Sequence, residues 1–191
     1  MHHIRSWFKS RRFPFSLMFV SFLLLAAPAA ALDTLYVVRH AEKAEPWPAD
    51  LDAFRPLAPA GEHRAEALAK RLKDAGVAAV YTSRTTRTME TGMPLVNAAH
   101  VPLVADDAST HPQEMTAFLN GLREKHAHDH AVLIVGHANT IPDLLNHLGA
   151  TPSCYARLGI AKVGSGLEIQ GYQGVWKVDL KKQGCAAITR E

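Results

Sequence analysis

The sequence predicts an α/β protein, a three-layer sandwich in which helices cover both faces of a mostly parallel central sheet. Short apolar runs alternate with segments of helical periodicity through most of the chain, which is the order of elements in such a fold. The first run, Thr34–Val38, shows no polar alternation, as is typical of a strand buried on both faces. With 191 residues, the chain is long enough for one domain with a sizeable core.

The first 31 residues have the three parts of an export signal. A basic start is followed by the apolar run 17–27 and by the small residues 29–31. We expect cleavage after Ala31, which leaves residues 32–191 as one domain in the periplasm or outside the cell. A retained membrane anchor is the alternative, but the stretch Leu17–Leu32 is interrupted by Pro28 and falls short of the roughly 20 residues that span a bilayer. The pair Arg11-Arg12 leaves the Sec and twin-arginine routes both open.

The positive charge of the chain belongs to this signal. The whole sequence has 21 Lys+Arg, 18 Asp+Glu and a formal net charge of +3. Four of the basic residues and none of the acids lie in the signal, so cleavage leaves 17 against 18 and a net charge of −1. We therefore expect no nucleic-acid partner and no stable membrane insertion after cleavage. The sequence does not determine the oligomeric state.

The two cysteines, Cys154 and Cys185, both lie beyond the signal. Two thiols are too few for a four-thiolate zinc site, but an oxidising compartment permits them to pair. We expect a disulfide between them. Two unpaired thiols, one of them buried, are the alternative, because a sequence carries no Cα distances.

The elements follow in a regular order. Apolar runs predict strands at Thr34–Val38, Val77–Tyr81, Val101–Val104 and Ala131–Val135, the third at an edge because Pro102 cannot donate to a ladder. Helical spacing predicts helices over Pro59–Asp74, with Gly76 as the stop, over roughly 84–97, around Met115–Leu122, and from an Asn139 cap to about Leu148. The alternating segments Gly166–Gln170 and Val175–Leu180 predict an antiparallel pair joined around Gly171–Gly174.

Histidines and arginines follow three of the predicted strands, at the edge of the sheet where ligands bind in open α/β folds. Arg39-His40 follows the first strand, Ser83–Thr91 follows the second, and Gly136-His137 follows the fourth. Guanidinium groups match phosphate oxygens bidentately, and a neutral imidazole can attack phosphorus to give a covalent phosphoenzyme. These residue types therefore indicate a pocket for a phosphoryl group.

Together these motifs resemble the histidine phosphatase superfamily, which has the phosphoglycerate-mutase-like fold. The resemblance rests on Arg39-His40, on the Ser-x-x-x-Arg-Thr-x-x-Thr stretch 83–91, and on the strand end Val-Gly-His-Ala-Asn-Thr at 135–140. The segment 57–65 is also similar to the family's Leu-Thr-x-x-Gly helix entry, with Ala58 at the usual Thr. The resemblance covers essentially the whole mature chain. It implies that His40 is the nucleophile, that Arg39 and Arg87 hold the phosphoryl oxygens, and that His137 donates a hydrogen bond to them.

The proton donor for the leaving oxygen is less well defined. Relatives with a general acid often place it after the second arginine, which makes Glu114 the first candidate, ahead of Asp106 and Asp107. Alternatively, all three are solvated acids, and Glu114 only complements a helix N-terminus. Some phosphohistidine phosphatases of the superfamily have no dedicated acid.

Other polar residues are expected to have lesser roles. The alternating His126, His128 and His130 lie in a polar loop before the fourth strand, so we interpret them as surface residues and not as a metal site. Glu42 is expected to hold His40 or a neighbour by a hydrogen bond, and Arg84 could face the pocket or solvent. Trp47, Phe54 and the prolines of the 46–59 loop could shape the entrance or only pack the loop.

The predicted function is an exported, metal-independent phosphatase that hydrolyses a small phosphorylated substrate through a phosphohistidine on His40. No cofactor and no metal ion are expected. A mutase is a rival, although the short chain leaves little room to enclose the phosphoryl group. A non-catalytic receptor for phosphate or a phosphorylated ligand is the other alternative. The sequence does not identify the substrate.

Overall fold

The computed structural model describes residues 32–191, and the predicted export segment, residues 1–31, lies outside the described residues. The strands are β1 Thr34–Arg39, β2 Val77–Thr82, β3 Leu103–Ala105, β4 Ala131–Gly136, β5 Ile160–Val163, β6 Gly166–Ile169, β7 Val175–Asp179 and β8 Ile188–Arg190. The helices are α1 Pro59–Leu72, α2 Thr86–Ala99, α3 Met115–Lys125, α4 Ile141–His147 and α5 Tyr155–Leu158. Among the described residues, no helix is long and apolar enough to cross a bilayer.

The central sheet has six strands in the order β3-β2-β4-β1-β7-β8. The first four are parallel, and β7 and β8 continue the sheet through antiparallel pairings. Strand β3 lies at the edge, as its proline predicted, and the carbonyl of Pro102 accepts a hydrogen bond from Val80 N. The mostly parallel α/β sheet predicted from the sequence is thus confirmed.

Alternate residues of β1 enter two different cores, which makes the sheet the middle of three layers. Leu35 and Val37 pack with buried residues of α3, α4 and α5, whereas Tyr36 and Val38 pack with those of α1 and α2. Because successive side chains of a strand point to opposite faces, a strand covered on both faces must be apolar at every position. That is why β1 and β4 read as continuous apolar runs.

The carboxy-terminal pairing differs from the prediction. Segment β6 does not pair with β7; it forms a separate two-stranded sheet with β5, which the sequence analysis did not predict. The hairpin β5–β6 turns through Gly164, and Ile169 N donates to the carbonyl of Ala138 in the loop after β4. Strand β7 joins the main sheet beside β1, because its apolar positions complete the core there.

Two local predictions are wrong. Thr140 and not Asn139 precedes α4, and the Thr140 hydroxyl oxygen accepts a hydrogen bond from His137 N at 3.2 Å. His126 is not a surface residue, since it is only 5% exposed. It lies at the end of α3, where Nε2 bonds to the Tyr81 hydroxyl at 2.8 Å and Nδ1 bonds to an Asp129 carboxylate oxygen at 2.7 Å. These two partners satisfy its ring nitrogens inside the core.

A disulfide joins Cys154 to Cys185, with their Cα atoms 6.0 Å apart. Each cysteine belongs to a short 3-10 segment, Pro152–Cys154 before α5 and Gly184–Ala187 before β8. The bridge therefore ties the chain leaving α4 to the last strand of the sheet.

Candidate active site

The pairing of β1 with β4 places the two histidines of the predicted site side by side. Arg39 is the register partner of Gly136, so His40 and His137 follow at equivalent positions of neighbouring parallel strands. His40 N donates to the carbonyl of Gly136 at 2.9 Å, which extends the ladder by one more bond. The centroids of the two imidazole rings are 5.3 Å apart.

His40 is held in one orientation and one tautomer. Its Nδ1 lies 2.7 Å from the carbonyl oxygen of Ala41, and because a carbonyl can only accept, Nδ1 carries the proton and donates it. The Ala41 backbone is itself fixed, since Ala41 N donates to Thr91 Oγ1 at 2.9 Å. The Nε2 atom therefore retains its lone pair, as a nucleophile requires.

Burial keeps both imidazoles neutral. The pKa of His40 is lowered to about 3, chiefly by loss of solvation; the hydrogen bond to Ala41 opposes this, and His137, Arg87 and Arg39 add to it. Loss of solvation also lowers the pKa of His137 to about 4, with Arg87 and Arg39 acting in the same direction and Asp52 and Asp107 opposing them. At neutral pH the positive charge of the pocket thus resides on its arginines.

A hydroxyl cluster at the start of α2 orients His137. Ser83 Oγ lies 2.8 Å from His137 Nε2 and is also within hydrogen-bond distance of the hydroxyls of Thr85 and Thr88. Thr88 in turn donates to the carbonyl of Ser83 at 2.9 Å. This explains the Ser and Thr residues of the 83–91 stretch, which connect the end of β2 to the first turn of α2.

Arg39 and Arg87 are each anchored through terminal nitrogens. Arg39 Nη1 donates to the carbonyl of Gly171 at 3.1 Å, and its guanidinium lies 4.1 Å from the centre of the Tyr172 ring. Arg87 Nη1 donates to the carbonyl of Asp52 at 2.7 Å. The buried Nε of each arginine has no hydrogen-bond partner among residues 32–191. Buried donors of this kind fit the oxygens of a phosphoryl group.

The three carboxylates suggested as proton donors have different surroundings. Glu114 precedes α3 with its side chain 56% exposed, and its carboxylate lies 3.9 Å from Nδ1 of His111. Asp106 accepts a hydrogen bond from Ala108 N in the following 3-10 turn. Asp107 accepts from Arg84 N at 2.8 Å and is the one of the three whose charge raises the pKa of His137.

Two further side chains from the sequence analysis point away from the phosphoryl donors. Glu42 does not bond to His40; its carboxylate receives two-point hydrogen bonds from Arg64 at 2.6–3.0 Å, which hold its pKa below the usual value. The side chain of Arg84 is 73% exposed and faces solvent beside Asp107. In the family-like helix entry, a Cβ at Gly61 would collide with the carbonyl of Glu42, which accounts for glycine there.

Sequence reasoning missed Asp52 and Tyr172, which anchor the two arginines. Asp52 lies in the 3-10 segment Ala49–Phe54 of the proline-rich loop, and Tyr172 lies in the connection between β6 and β7. Neither has a periodic pattern or a motif around it, and both contacts span more than 30 residues of sequence. Among residues 32–191, no group of three or more His, Cys, Asp or Glu side chains is arranged to hold a metal ion.

Comparisons with known proteins bear on this site. Residues 35–109 match the family description "Histidine phosphatase superfamily (branch 1)", and no curated protein matches the chain. A candidate phosphohistidine phosphatase SixA from Agrobacterium tumefaciens superimposes with a TM-score of 0.62 at 20% identity, over 83% of this chain and 95% of that one.

Two other solved structures have the same fold. A candidate alpha-ribazole-5'-P phosphatase from Escherichia coli K-12 superimposes with a TM-score of 0.58 at 15% identity, over 83% of this chain and 94% of that one. A mycobacterial glucosyl-3-phosphoglycerate phosphatase, in complex with VO3, gives 0.54 at 14% identity, over 83% and 96%. At these identities the structures establish the fold, and the resemblance drawn from the motifs is confirmed.

Proposed function

Because this chain has the fold of the histidine phosphatase superfamily and its family signature over residues 35–109, we propose that it is a phosphatase with His40 as its nucleophile. Nε2 of His40 attacks phosphorus in a phosphomonoester, and the P–O bond to the leaving group breaks. The leaving oxygen takes up a proton and departs as an alcohol. Water then attacks the phosphohistidine, the P–N bond breaks, and phosphate leaves with His40 restored.

The single observation that carries this proposal is the environment of His40. A buried imidazole whose Nδ1 proton is given to Ala41 has a free Nε2 lone pair, and the pKa of about 3 keeps that lone pair available at neutral pH. A histidine that only fills a core has both ring nitrogens satisfied, as His126 does. His40 Nε2 instead has no hydrogen-bond partner among residues 32–191, and the charges of Arg87 and Arg39 act on the ring.

The remaining residues have roles that follow from their charge. Arg39 and Arg87 bind the non-bridging oxygens and offset the charge that develops on them during transfer. His137 has a pKa of about 4 and is neutral at neutral pH; the approach of a dianion raises this pKa, so that it can donate a hydrogen bond to the phosphoryl group. VO3 in the mycobacterial phosphatase is an oxyanion of the same kind as the one proposed here.

Substrate and location extend the proposal. The names of the similar structures support a small phosphorylated substrate, and this chemistry uses no metal ion. The segment 1–31 supports export to the periplasm or the cell exterior, where the Cys154–Cys185 disulfide can form. A mutase would have to return the phosphoryl group to the substrate before water reaches it. Because the short chain leaves little room to enclose the phosphoryl group, hydrolysis is the favoured outcome.

The test is to trap the phosphoenzyme. The mature protein is incubated with a panel of phosphomonoesters in EDTA beside His40→Ala, and any acid-labile phosphate on the protein is measured. We expect turnover and labelling in the parent, and neither in His40→Ala. His63→Ala is the matched control, because the His63 side chain lies exposed on α1. Activity that survives His40→Ala, or that requires an added metal ion, would contradict the mechanism. Saturable phosphate binding without turnover would instead identify a receptor, and an isomerised phosphoester without free phosphate would identify a mutase.

A further inference from the structure

A single residue of the loop between β1 and α1 contacts both terminal nitrogens of Arg87. Nη1 of Arg87 donates to the backbone carbonyl of Asp52 at 2.7 Å, and Nη2 lies 3.2 Å from the Asp52 carboxylate. Two contacts to two different nitrogens fix the plane of a guanidinium as well as its position. The Arg87 side chain is 8% exposed overall, so this plane is held within a packed pocket.

These contacts determine which edge of the Arg87 guanidinium is available to bind an oxyanion. With both terminal nitrogens engaged by Asp52, the buried Nε–H has no partner among residues 32–191. An oxyanion can use that Nε–H together with a remaining N–H of one terminal nitrogen, which is a bidentate edge of the guanidinium. The orientation of this edge depends on Asp52, because a long side chain without such an anchor samples several rotamers.

We infer that Asp52 is a positioning residue, which holds Arg87 in the orientation that binds a phosphoryl group. The inference rests on the proposed role of Arg87 in phosphoryl binding. Asp52 is well suited to the task because it remains a carboxylate. Partial burial acts to raise its pKa, but Arg87, Lys43 and Arg55 together outweigh this and hold the pKa below its usual value. Lys43 at 3.7 Å and Arg55 at 3.4 Å also secure the carboxylate itself.

Two other roles for Asp52 make different predictions. A carboxylate that competes with the substrate for Arg87 would make binding weaker than it need be, so its removal would lower KM. A proton donor to the leaving oxygen would affect kcat for poor leaving groups and leave good ones unchanged. A positioning residue affects the binding of every oxyanion, whatever the leaving group.

The experiment compares Asp52→Ala and Asp52→Asn with the matched control Asp50→Ala. Asp50 is an exposed acid of the same 3-10 segment, so its replacement removes the same charge without touching Arg87. The measurements are kcat and KM for p-nitrophenyl phosphate and for an alkyl phosphate, their pH profiles, and inhibition by inorganic phosphate and vanadate. We expect Asp52→Ala to raise KM and both inhibition constants about two- to fivefold, because it removes the carboxylate beside Nη2 but keeps the backbone carbonyl that accepts from Nη1. Asp52→Asn should raise them less, because its amide oxygen keeps a dipole beside Nη2 although the charge of the carboxylate is lost. Asp50→Ala should change nothing.

A fall in KM for Asp52→Ala would overturn the inference in favour of a competing carboxylate. A loss confined to kcat for the alkyl phosphate, with a shifted alkaline limb, would overturn it in favour of a proton donor. Arg87→Ala separates these results from a failure of the proposed function. If Arg87→Ala leaves vanadate inhibition unchanged, the proposed phosphoryl pocket is refuted. If Arg87→Ala weakens inhibition but Asp52→Ala has no effect, only the positioning role of Asp52 is refuted.

Discussion

Protonation of His40 and His137 should destabilise the folded protein as the pH falls below 6.5. Both side chains are neutral in the folded pocket, with a pKa of about 3 for His40 and about 4 for His137, against the ordinary value of 6.5. Below pH 6.5 both histidines are therefore protonated in the unfolded chain while they remain neutral in the folded one. The two neutral histidines therefore contribute their full stabilisation above pH 6.5, and this contribution is lost progressively as the pH falls toward the folded pKa values.

The size of the effect follows from the same values. One pKa unit corresponds to about 1.36 kcal/mol, and pH 5 lies about 1.5 units below the unfolded pKa while still above both folded ones. Each histidine should thus account for about 2 kcal/mol of stability lost between pH 7 and pH 5, and the pair for about 4 kcal/mol. That is a large part of the 5–15 kcal/mol, roughly, by which most domains are stable.

Urea denaturation at pH 7 and pH 5 measures this loss. His40→Gln removes one titrating ring, so its free energy of unfolding should fall by about 2 kcal/mol less than that of the parent. The double variant His40→Gln/His137→Gln should fall by about 4 kcal/mol less. His63→Gln is the control, because the His63 side chain lies exposed on α1, outside the pocket. Equal pH dependence in the parent and in the double variant would refute the neutral, desolvated pocket, and with it the stated reason that His40 is a nucleophile at neutral pH.

Three further predictions concern other parts of the molecule. We expect Asp107, whose charge acts on His137, and not the exposed Glu114 to give the leaving oxygen its proton. Asp107→Asn should then slow the hydrolysis of alkyl phosphates more than that of p-nitrophenyl phosphate, and Glu114→Gln should slow neither. Steady-state kinetics with both substrates would show the reverse pattern if Glu114 were the acid. Tyr172→Leu should raise KM about threefold, since the ring stacks 4.1 Å from the Arg39 guanidinium and such a contact contributes about 0.5–1 kcal/mol; an unchanged inhibition constant for phosphate would contradict this. Cys154→Ala should lower the free energy of unfolding by about 3–4 kcal/mol, measured by urea denaturation, and a reducing agent should then have no further effect on the variant.

The parts of the fold that were predicted correctly are those with strong local patterns. Strand β4 is apolar throughout and β1 is apolar from Leu35 to Val38 because both faces are covered, and α1 has a regular apolar stripe that ends at Leu72, shortly before Gly76. The partner of β6 could not be predicted in this way. Alternation predicted that Gly166–Ile169 is a strand, but β5 was not predicted, so β7 was taken as its partner; β5 is joined to β6 by only two residues, 164–165, and forms the hairpin.

The site residues follow the same rule: those near the end of an apolar run were predicted, and those in connecting segments were not. Arg39, His40 and His137 could be placed because each directly follows or ends an apolar run, and Arg87 because it follows the second run by a few residues, in the first turn of α2. Asp52 and Tyr172 lie in connecting segments, and their contacts with the arginines depend on how those segments fold back over the sheet. His126 shows the converse error, since a polar stretch of histidines suggested exposure although one ring is buried against Tyr81.

The register between β1 and β4 also has a consequence for folding. His40 and His137 are separated by almost one hundred residues, yet they lie side by side because both directly follow the last register pair of one ladder, Arg39 and Gly136. No fragment that lacks either strand can assemble the pocket, so the site exists only in molecules whose central sheet is complete. Oxyanion binding should therefore stabilise the whole domain and not only one loop. The amide protons of the central strands exchange only through global unfolding, so a tightly bound phosphate should slow their hydrogen exchange.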